Sequence, residues 1–407
     1  MHTYEYAIAC GQSNGKATAD AGARWPRTRD FCDKKGRNRT TMKTMMDAAV
    51  IGLGAMGGTH VGALRASPYV GKIYGYEPDP AFAALRGKEL GVEATHDLDS
   101  LLRNPAIKLF SIASINAVHS EQAIAALRAG KAVMCEKPMA EDLAGARAMV
   151  DAARETGGFL QIGFELRYSR IYQLAKQWID EGRIGDVVIT HCRYYCSEFH
   201  SKGTWRSESP GSLIGEKLSH YIDLQRWFTG HEVEEVFSMT APNVVDYFNH
   251  PDNHQINMRF KNGAVADLNF SMYIAESDHR DPLLEMLEKQ ADDGHCLQYH
   301  IIGTKGAIET DVFRRRIRRW EFSDSPERLV SKLVEKVTYT SDQDNEWIHN
   351  VHGQNMRIVE LVAKGLPPET TAADSYETMK AGFAAELSER ERRVVKLSEL
   401  EAPCPVA

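Results

Sequence analysis

The sequence predicts an α/β protein: a doubly wound parallel sheet in the N-terminal half, then an α+β part built on one large, mostly antiparallel sheet. Three observations carry this. Short apolar runs alternate with stretches of helical spacing from about residue 47 to residue 163. A glycine turn, Gly52-Leu53-Gly54-Ala55-Met56-Gly57, links the first run to the first helix. From Val187–Cys196 onward this alternation gives way to period-two strands bounded by turn signals such as Lys261-Asn262-Gly263.

The first strand is expected over 48–51 and ends in the turn G-x-G-x-x-G. Gly52 permits the tight exit from the strand. Gly54 leaves room for a pyrophosphate to approach the backbone, and Gly57 lets the helix pack close to the strand. The helix of residues 56–66 then offers its first N–H groups, those of Ala55 and Met56 among them, and its positive dipole end to the phosphates. The second apolar run, 73–76, ends in Glu77, where a carboxylate accepts hydrogen bonds from a ribose diol. The same charge repels a 2′-phosphate, and Pro78 and Asp79 bring no arginine there. NAD is therefore favoured over NADP.

The remaining elements follow in order. Pro78 and Asp79 open a helix through Leu85 and Leu90. A strand is expected over 92–95 and a brief helix around Leu98, Leu101 and Leu102. The buried strand 108–113 leads to Ser114, Asn116 and His119 in the loop and helix start that follow. That helix stops at Gly130. Strand Ala132–Cys135 ends in Glu136-Lys137-Pro138, and helix 140–156 and strand 159–163 complete the half. Ligands of such sheets sit beyond the carboxyl ends of the strands, where Glu77, Ser114, Asn116, Glu136 and Lys137 all fall. In the second half a helix is expected over 166–181. Strands are expected at Val187–Cys196, 233–240, 255–260, 264–273, 299–303, 307–310 and 317–322. A helix over 375–390 and a strand over 393–396 are expected to pack back on the first domain.

Within the second half, Glu216 and His220 are four apart and share a face of a helix. Histidine suits proton removal from a hydroxyl, with a nearby carboxylate to orient it. The spacing fits a solvated amphipathic helix equally well. Lys137, just after a buried strand, adds a group able to hold a substrate hydroxyl and stabilise a developing alkoxide. Arg167, Trp205 and Arg206 are candidate substrate contacts, or ordinary packing and surface pairing.

These residues carry a family resemblance. The chain over residues 47–400 resembles the glucose–fructose oxidoreductase / inositol dehydrogenase (Gfo/Idh/MocA) family. The matching stretches are Gly52-Leu53-Gly54-Ala55-Met56-Gly57, Ser114-Ile115-Asn116-Ala117-Val118-His119, the run from Gly130 to Glu136-Lys137-Pro138, and Glu216 with His220-Tyr221-Ile222-Asp223. The resemblance implies an NAD-binding Rossmann domain and an open-faced antiparallel sheet for substrate binding and homo-oligomer contacts (dimer or tetramer). It implies cofactor contacts from Gly52, Gly54, Ala55, Met56, Glu77, Ser114, Asn116, His119, Glu136 and Lys137. Lys137 is then the catalytic lysine and His220 the proton acceptor, aided by Glu216. Many sugar and inositol dehydrogenases of the family carry aspartate four residues before the histidine; this chain has Glu216, followed by Lys217. The expected activity is NAD-dependent oxidation of a secondary alcohol on a sugar or cyclitol. Two other readings stay open: an NAD-retaining, redox-neutral glycosidase or lyase, and a non-catalytic NAD or sugar sensor.

Composition bounds the rest. With 407 residues, 43% hydrophobic and 26% charged, the chain suffices for two domains. A net charge of −7 supplies no basic field for nucleic acid, and no apolar run is long enough to span a bilayer. Seven cysteines without a C-x-x-C pair read as reduced packing residues and a cytoplasmic setting. Residues 1–45 carry nine basic and four acidic side chains and no hydrophobic period. They read as a disordered or non-native extension, with Met42, Met45 and Met46 as alternative starts; a nucleic-acid arm or transit sequence is the other reading. The acid- and histidine-rich stretch 276–298 reads as an inserted, solvated loop rather than a metal site. The expected division is 46–165, a nucleotide domain; 166–372, a substrate and oligomer domain; and 373–400, a returning helix and strand.

Overall fold

Strand β1 (Met46–Ile51) lies at the centre of a six-stranded, all-parallel sheet. The computed structural model describes residues 45–197, 202–203, 207, 212–272, 275 and 293–400. The sheet runs β3 (Glu93–Thr95), β2 (Val70–Tyr76), β1, β4 (Ile107–Ile112), β5 (Ala132–Cys135), β6 (Leu160–Ile162). Four consecutive residues of β1, Ala48 to Ile51, are fully buried. A strand covered on both faces reads as a continuous apolar run, which is why it was visible in the sequence. Its side chains still alternate. Ala49 and Ile51 face the cluster that contains helices α4 (His119–Arg128) and α5 (Leu143–Thr156). Ala48 and Val50 face α1 (Ala55–Ala66). Helix α2 (Pro80–Leu90) begins where Asp79 accepts from the Phe82 amide at 2.8 Å and ends at left-handed Gly91.

Strand order reverses between β1 and β4, and the crevice at that reversal is where doubly wound sheets bind ligands. The two strand ends approach closely here. A Cβ on Gly52, whose φ is +89°, would lie 2.6 Å from the Ser114 Cα.

The second sheet has nine strands: β14 (Val330–Thr338), β13 (Arg316–Ser323), β12 (Gly306–Asp311), β11 (Cys296–Gly303), β7 (Val187–Cys196), β10 (Val265–Met272), β9 (Asn253–Phe260), β8 (Val233–Met239) and β15 (Val395–Lys396). All neighbours are antiparallel except β7 and β10. One face is buried under α6 (Arg170–Asp180) and the helices Ser219–Thr229 and Ala372–Glu391. Cys192, Tyr194 and Cys196 of β7 point into that core at period two, and none of the four described cysteines forms a disulfide.

Several expectations need correction. The helix expected over 166–181 is two pieces, a tight 3-10 turn at Glu165–Tyr168 and α6 from Arg170. Ser169 between them has extended backbone (φ −74°, ψ 127°) and bonds the Ile348 carbonyl. Helix Val351–Ala363 was not foreseen. It is capped by Asn350 and covers the first sheet with Ile358 and Val359. Strand β14 was also not foreseen: it is an edge strand exposed along most of its length, so it lacks the apolar alternation of a half-buried one. The helix Ala372–Glu391 reaches both sheets, with Tyr376 and Met379 in one core and Ala381 and Ala385 in the other. The strand after it does not return to the first domain; Val395 pairs with Val236 at the edge of the second sheet. Residues 1–44 and 276–292 lie outside the described residues.

Candidate active site

The glycine turn keeps the shape its sequence demands. A Cβ on Gly57 would stand 1.9 Å from the Gly52 carbonyl oxygen, so helix and turn touch backbone to backbone. A Cβ on Gly54 would meet nothing within 4 Å. Gly54, Ala55 and Met56 are exposed, and α1 starts without a side-chain cap or an acid in its first turn. A helix start with free amides and open space in front of it is a site for an anion. The residues present therefore fit a dinucleotide pyrophosphate. Glu77 closes the turn from the side: its Oε2 accepts from the Leu53 amide at 2.6 Å. Arg86 donates to the Leu53 carbonyl at 2.8 Å and clamps the same turn.

At the β4 end, the Ser114 hydroxyl donates to Gln122 Oε1 at 2.7 Å, and Asn116 is buried in a 3-10 turn. His119, expected at the cofactor, is only 1% exposed. Its ring lies between the carbonyl oxygens of Pro138 (2.8 Å) and Ser114 (3.1 Å). Burial holds the ring below its ordinary value against the raising pull of these two oxygens. It ties two loops together. Glu136 is likewise turned inward, with Oε1 3.0 Å from His60 Nε2; His60 Nδ1 is 2.8 Å from the Ser111 hydroxyl. His60 was missed by sequence reasoning, although it stands three residues after Gly57 on the buried side of α1.

Lys137 crosses to the second half of the chain and donates from Nζ to the Glu216 carbonyl oxygen at 2.6 Å. The receiving segment, Ile214–Leu218, is a π-helical turn that runs into the helix Ser219–Thr229. Such widened turns recur at functional sites. One turn further on lies His220, only 3% exposed and edge-on to Phe164, with ring centroids 5.9 Å apart. A carboxylate that sequence reasoning did not single out, Glu165, lies beside it, with Oε2 3.2 Å from His220 Nε2. The other oxygen of Glu165 bonds His349 Nδ1 at 2.9 Å. Burial pulls the His220 imidazole down to about 3; Glu165 opposes this, and Lys137, His349 and Lys217 add to it. Burial alone would raise Glu165, but His220, His349 and Lys137 outweigh it and keep the carboxyl below its usual range. The ring is neutral and the carboxylate ionised at neutral pH. Glu165 was detectable as an acid shortly past the end of a buried strand; His349 had no such signal.

Arg167 is engaged by two aspartates. Its guanidinium is bidentate on Asp223 at 2.7 Å and pairs with Asp374 at 2.7 Å. Asp223 also accepts from Thr378 at 2.9 Å. Burial opposes the Arg167 charge, but the two aspartates outweigh it and hold the group firmly protonated. Trp205 and Arg206 lie outside the described residues. Among the described residues no cluster of histidine, cysteine and acid side chains fits a metal ion, and no helix is long and apolar enough to cross a membrane.

A parallel sheet of order 3-2-1-4-5-6, with a glycine turn at its reversal point, is the Rossmann arrangement of a dinucleotide-binding fold. Residues 46–164 match the oxidoreductase family with NAD-binding Rossmann fold, and residues 172–309 match the GFO/IDH/MocA C-terminal domain. The chain belongs to the Gfo/Idh/MocA oxidoreductase family. It is 33% identical to an inositol 2-dehydrogenase of Streptomyces avermitilis, over 48% of this chain and 56% of that protein. It is 32% identical to a levoglucosan dehydrogenase of Pseudarthrobacter phenanthrenivorans, over 48% of this chain and 55% of that protein. The chain thus spans about half the length of these two relatives. A myo-inositol 2-dehydrogenase of Thermotoga maritima is 25% identical over 77% of this chain and 87% of its own length. Among solved structures, levoglucosan dehydrogenase in complex with NADH and levoglucosan superposes with a TM-score of 0.72 at 24% identity, covering 86% of this chain and 99% of that one. The fold is shared with it.

Proposed function

We propose that this chain is an NAD-dependent dehydrogenase that oxidises a secondary alcohol of a sugar or cyclitol. The observation that carries the reading is the bond from Lys137 Nζ to Glu216. It brings a strand-end amine of the nucleotide half and the helix bearing His220 to one place. We take residues 46–165 as the nucleotide domain and 166–372 as the substrate domain. Gly52, Gly54, Ala55 and Met56 hold the pyrophosphate, Glu77 the adenosine ribose, and Ser114 and Asn116 line the strand-end crevice. When bound, NAD supplies the hydride acceptor.

The chain's own residues handle the proton. Neutral His220 accepts it from the substrate hydroxyl. Lys137 holds the same oxygen and stabilises the charge that develops on it. The buried setting strengthens both interactions and excludes water. The Glu77 carboxylate favours a free 2′-hydroxyl, hence NAD over NADP. The outer face of the nine-stranded sheet, where His191 pairs with Asp267 and Glu309 accepts from Arg318, is proposed as the contact surface of a homo-oligomer. Free thiols suit a reducing, cytoplasmic setting.

A panel of myo-inositol, levoglucosan, other sugars and sugar acids, each with NAD and NADP, tests the reading by absorbance of the reduced cofactor. Net NADH accumulation with at least one member is the expected result. Product formation without it would point to a redox-neutral enzyme, and no reaction at all would count against the assignment.

A further inference from the structure

Glu165 stands three residues after the buried end of β6. The tight turn Glu165–Tyr168 sets its carboxylate between two imidazoles. Oε2 is 3.2 Å from His220 Nε2, and Oε1 accepts from His349 Nδ1 at 2.9 Å. His349 lies 184 residues further along the chain, between the helical turn Asp344–Trp347 and the helix Val351–Ala363. Glu165 is only 6% exposed, so neither oxygen depends on bulk water for its partner. The far nitrogens of the two rings, His220 Nδ1 and His349 Nε2, are buried and have no hydrogen-bond partner among the described residues.

We propose that Glu165 is the positioning residue of His220, setting its tautomer and supporting its charged form, and that His349 in turn positions Glu165. The proposal rests on the reading of His220 as the proton acceptor. An ionised carboxylate can only accept hydrogen bonds, so His349 donates to Oε1, and the anion 3.2 Å from His220 Nε2 favours the tautomer with the hydrogen on that nitrogen. His220 is thereby held with its proton on Nε2 and its lone pair on Nδ1. Nδ1, buried and without a hydrogen-bond partner among the described residues, keeps its lone pair. A neutral imidazole with no such neighbour divides between two tautomers, and one of them presents an N–H where a lone pair is needed.

When the substrate O–H bond breaks, an N–H bond forms at Nδ1 and the electron pair stays on the oxygen. The imidazolium then sits in a buried pocket that also faces Lys137 and Lys217, both of which disfavour it. The Glu165 anion beside Nε2 offsets that cost. Glu216, the acid that helical spacing puts on the His220 face, meets Lys137 through its main-chain carbonyl. This arrangement follows the general logic of an active base oriented by a third group.

The test has two arms on the full chain. The first reads ring-nitrogen chemical shifts of ¹⁵N-histidine-labelled protein without ligands, with the His220 signals identified by their loss in His220→Asn. Wild type is expected to show a single Nε2–H tautomer, and Glu165→Gln a mixture or the opposite form. His349→Phe, which removes the donor to Oε1, is expected to loosen the preference partly, and it replaces the Gln variant should that one fail to fold. The second arm reads turnover of whichever panel alcohol reacts. Glu165→Gln is expected to lower kcat about 10²- to 10⁴-fold with KM changed less than about threefold, and Glu165→Asp to recover at least about tenfold. An unchanged tautomer in both variants, or kcat of Glu165→Gln within about threefold of wild type, overturns the proposal. If the tautomer shifts while no alcohol is oxidised, Glu165 keeps its role and the dehydrogenase reading fails. If wild type turns over and the tautomer does not move, the reverse holds.

Discussion

Lys137 and His220 come from distant parts of the chain, and each depends on its surroundings for its chemistry. Lys137 donates to a main-chain carbonyl, which anchors the amine without neutralising its charge. Lys137→Ala is expected to lower kcat by about 10²- to 10³-fold while NADH binding, followed by cofactor fluorescence, stays within about twofold. Retained turnover would remove Lys137 from the site. His220 has a signature in stability as well. Its pKa falls from 6.5 to about 3 on folding because burial favours the neutral ring. Stability from this group is therefore complete above about pH 6.5 and is lost progressively as pH falls toward about 3. Going from pH 6.5 to 5 should cost about 2 kcal/mol, read as a lower urea midpoint. In His220→Asn that dependence should shrink, while the part owed to His119, which shifts in the same direction, remains.

At the scale of elements, the glycine turn separates two jobs that the motif merges. Gly57 is required by packing, since a Cβ there would meet the Gly52 oxygen at 1.9 Å. Gly54 faces open space and has an ordinary φ of −65°. Gly57→Ala is therefore expected to lower the thermal midpoint by several degrees, about 2 kcal/mol or more. Gly54→Ala should leave the midpoint within about 2 °C and weaken NADH binding by about tenfold. Equal effects of the two on stability would mean that the turn is not read correctly. These elements were legible because their constraints are local: a continuous apolar run, a turn that tolerates no side chain, an acid at a strand end. The helix Val351–Ala363 and strand β14 were not. The first carries Gly353 and several β-branched residues, and its helicity comes from packing on the first sheet. The second is an edge strand whose exposure leaves no period-two signal.

At the scale of the molecule, the two sheets are joined by a buried charge network. Arg167 in the turn after β6, Asp223 on Ser219–Thr229, and Asp374 and Thr378 on the C-terminal helix meet in one cluster, and Arg226 reaches Thr378 at 2.7 Å. Glu165 lies two residues from Arg167, so the same joint fixes the turn that aims Glu165 at His220. Removing one member leaves a buried guanidinium short of its partner. Asp223→Asn is expected to cost about 3 kcal/mol in urea unfolding. A loss below about 0.5 kcal/mol would show that the joint is not a structural staple. Arg167 illustrates the limit of sequence reading. An arginine near a predicted site suggested substrate, and only the fold showed that two aspartates already occupy it.

The amino-acid sequence by itself determined the alternation of strands and helices that marks a parallel sheet, the glycine turn, the acid at the second strand end, and the placement of Lys137 and His220 on defined elements. These follow from periodicity and from steric limits that act within a few residues. Only the tertiary structure decided which carboxylate meets His220, where Lys137 ends, and that His119 and Arg167 are internal ties. The Lys137–Glu216 and Arg167–Asp223 contacts, for example, span 79 and 56 positions of the chain. No local rule ranks one buried acid over another until packing brings it within bonding distance and removes the water.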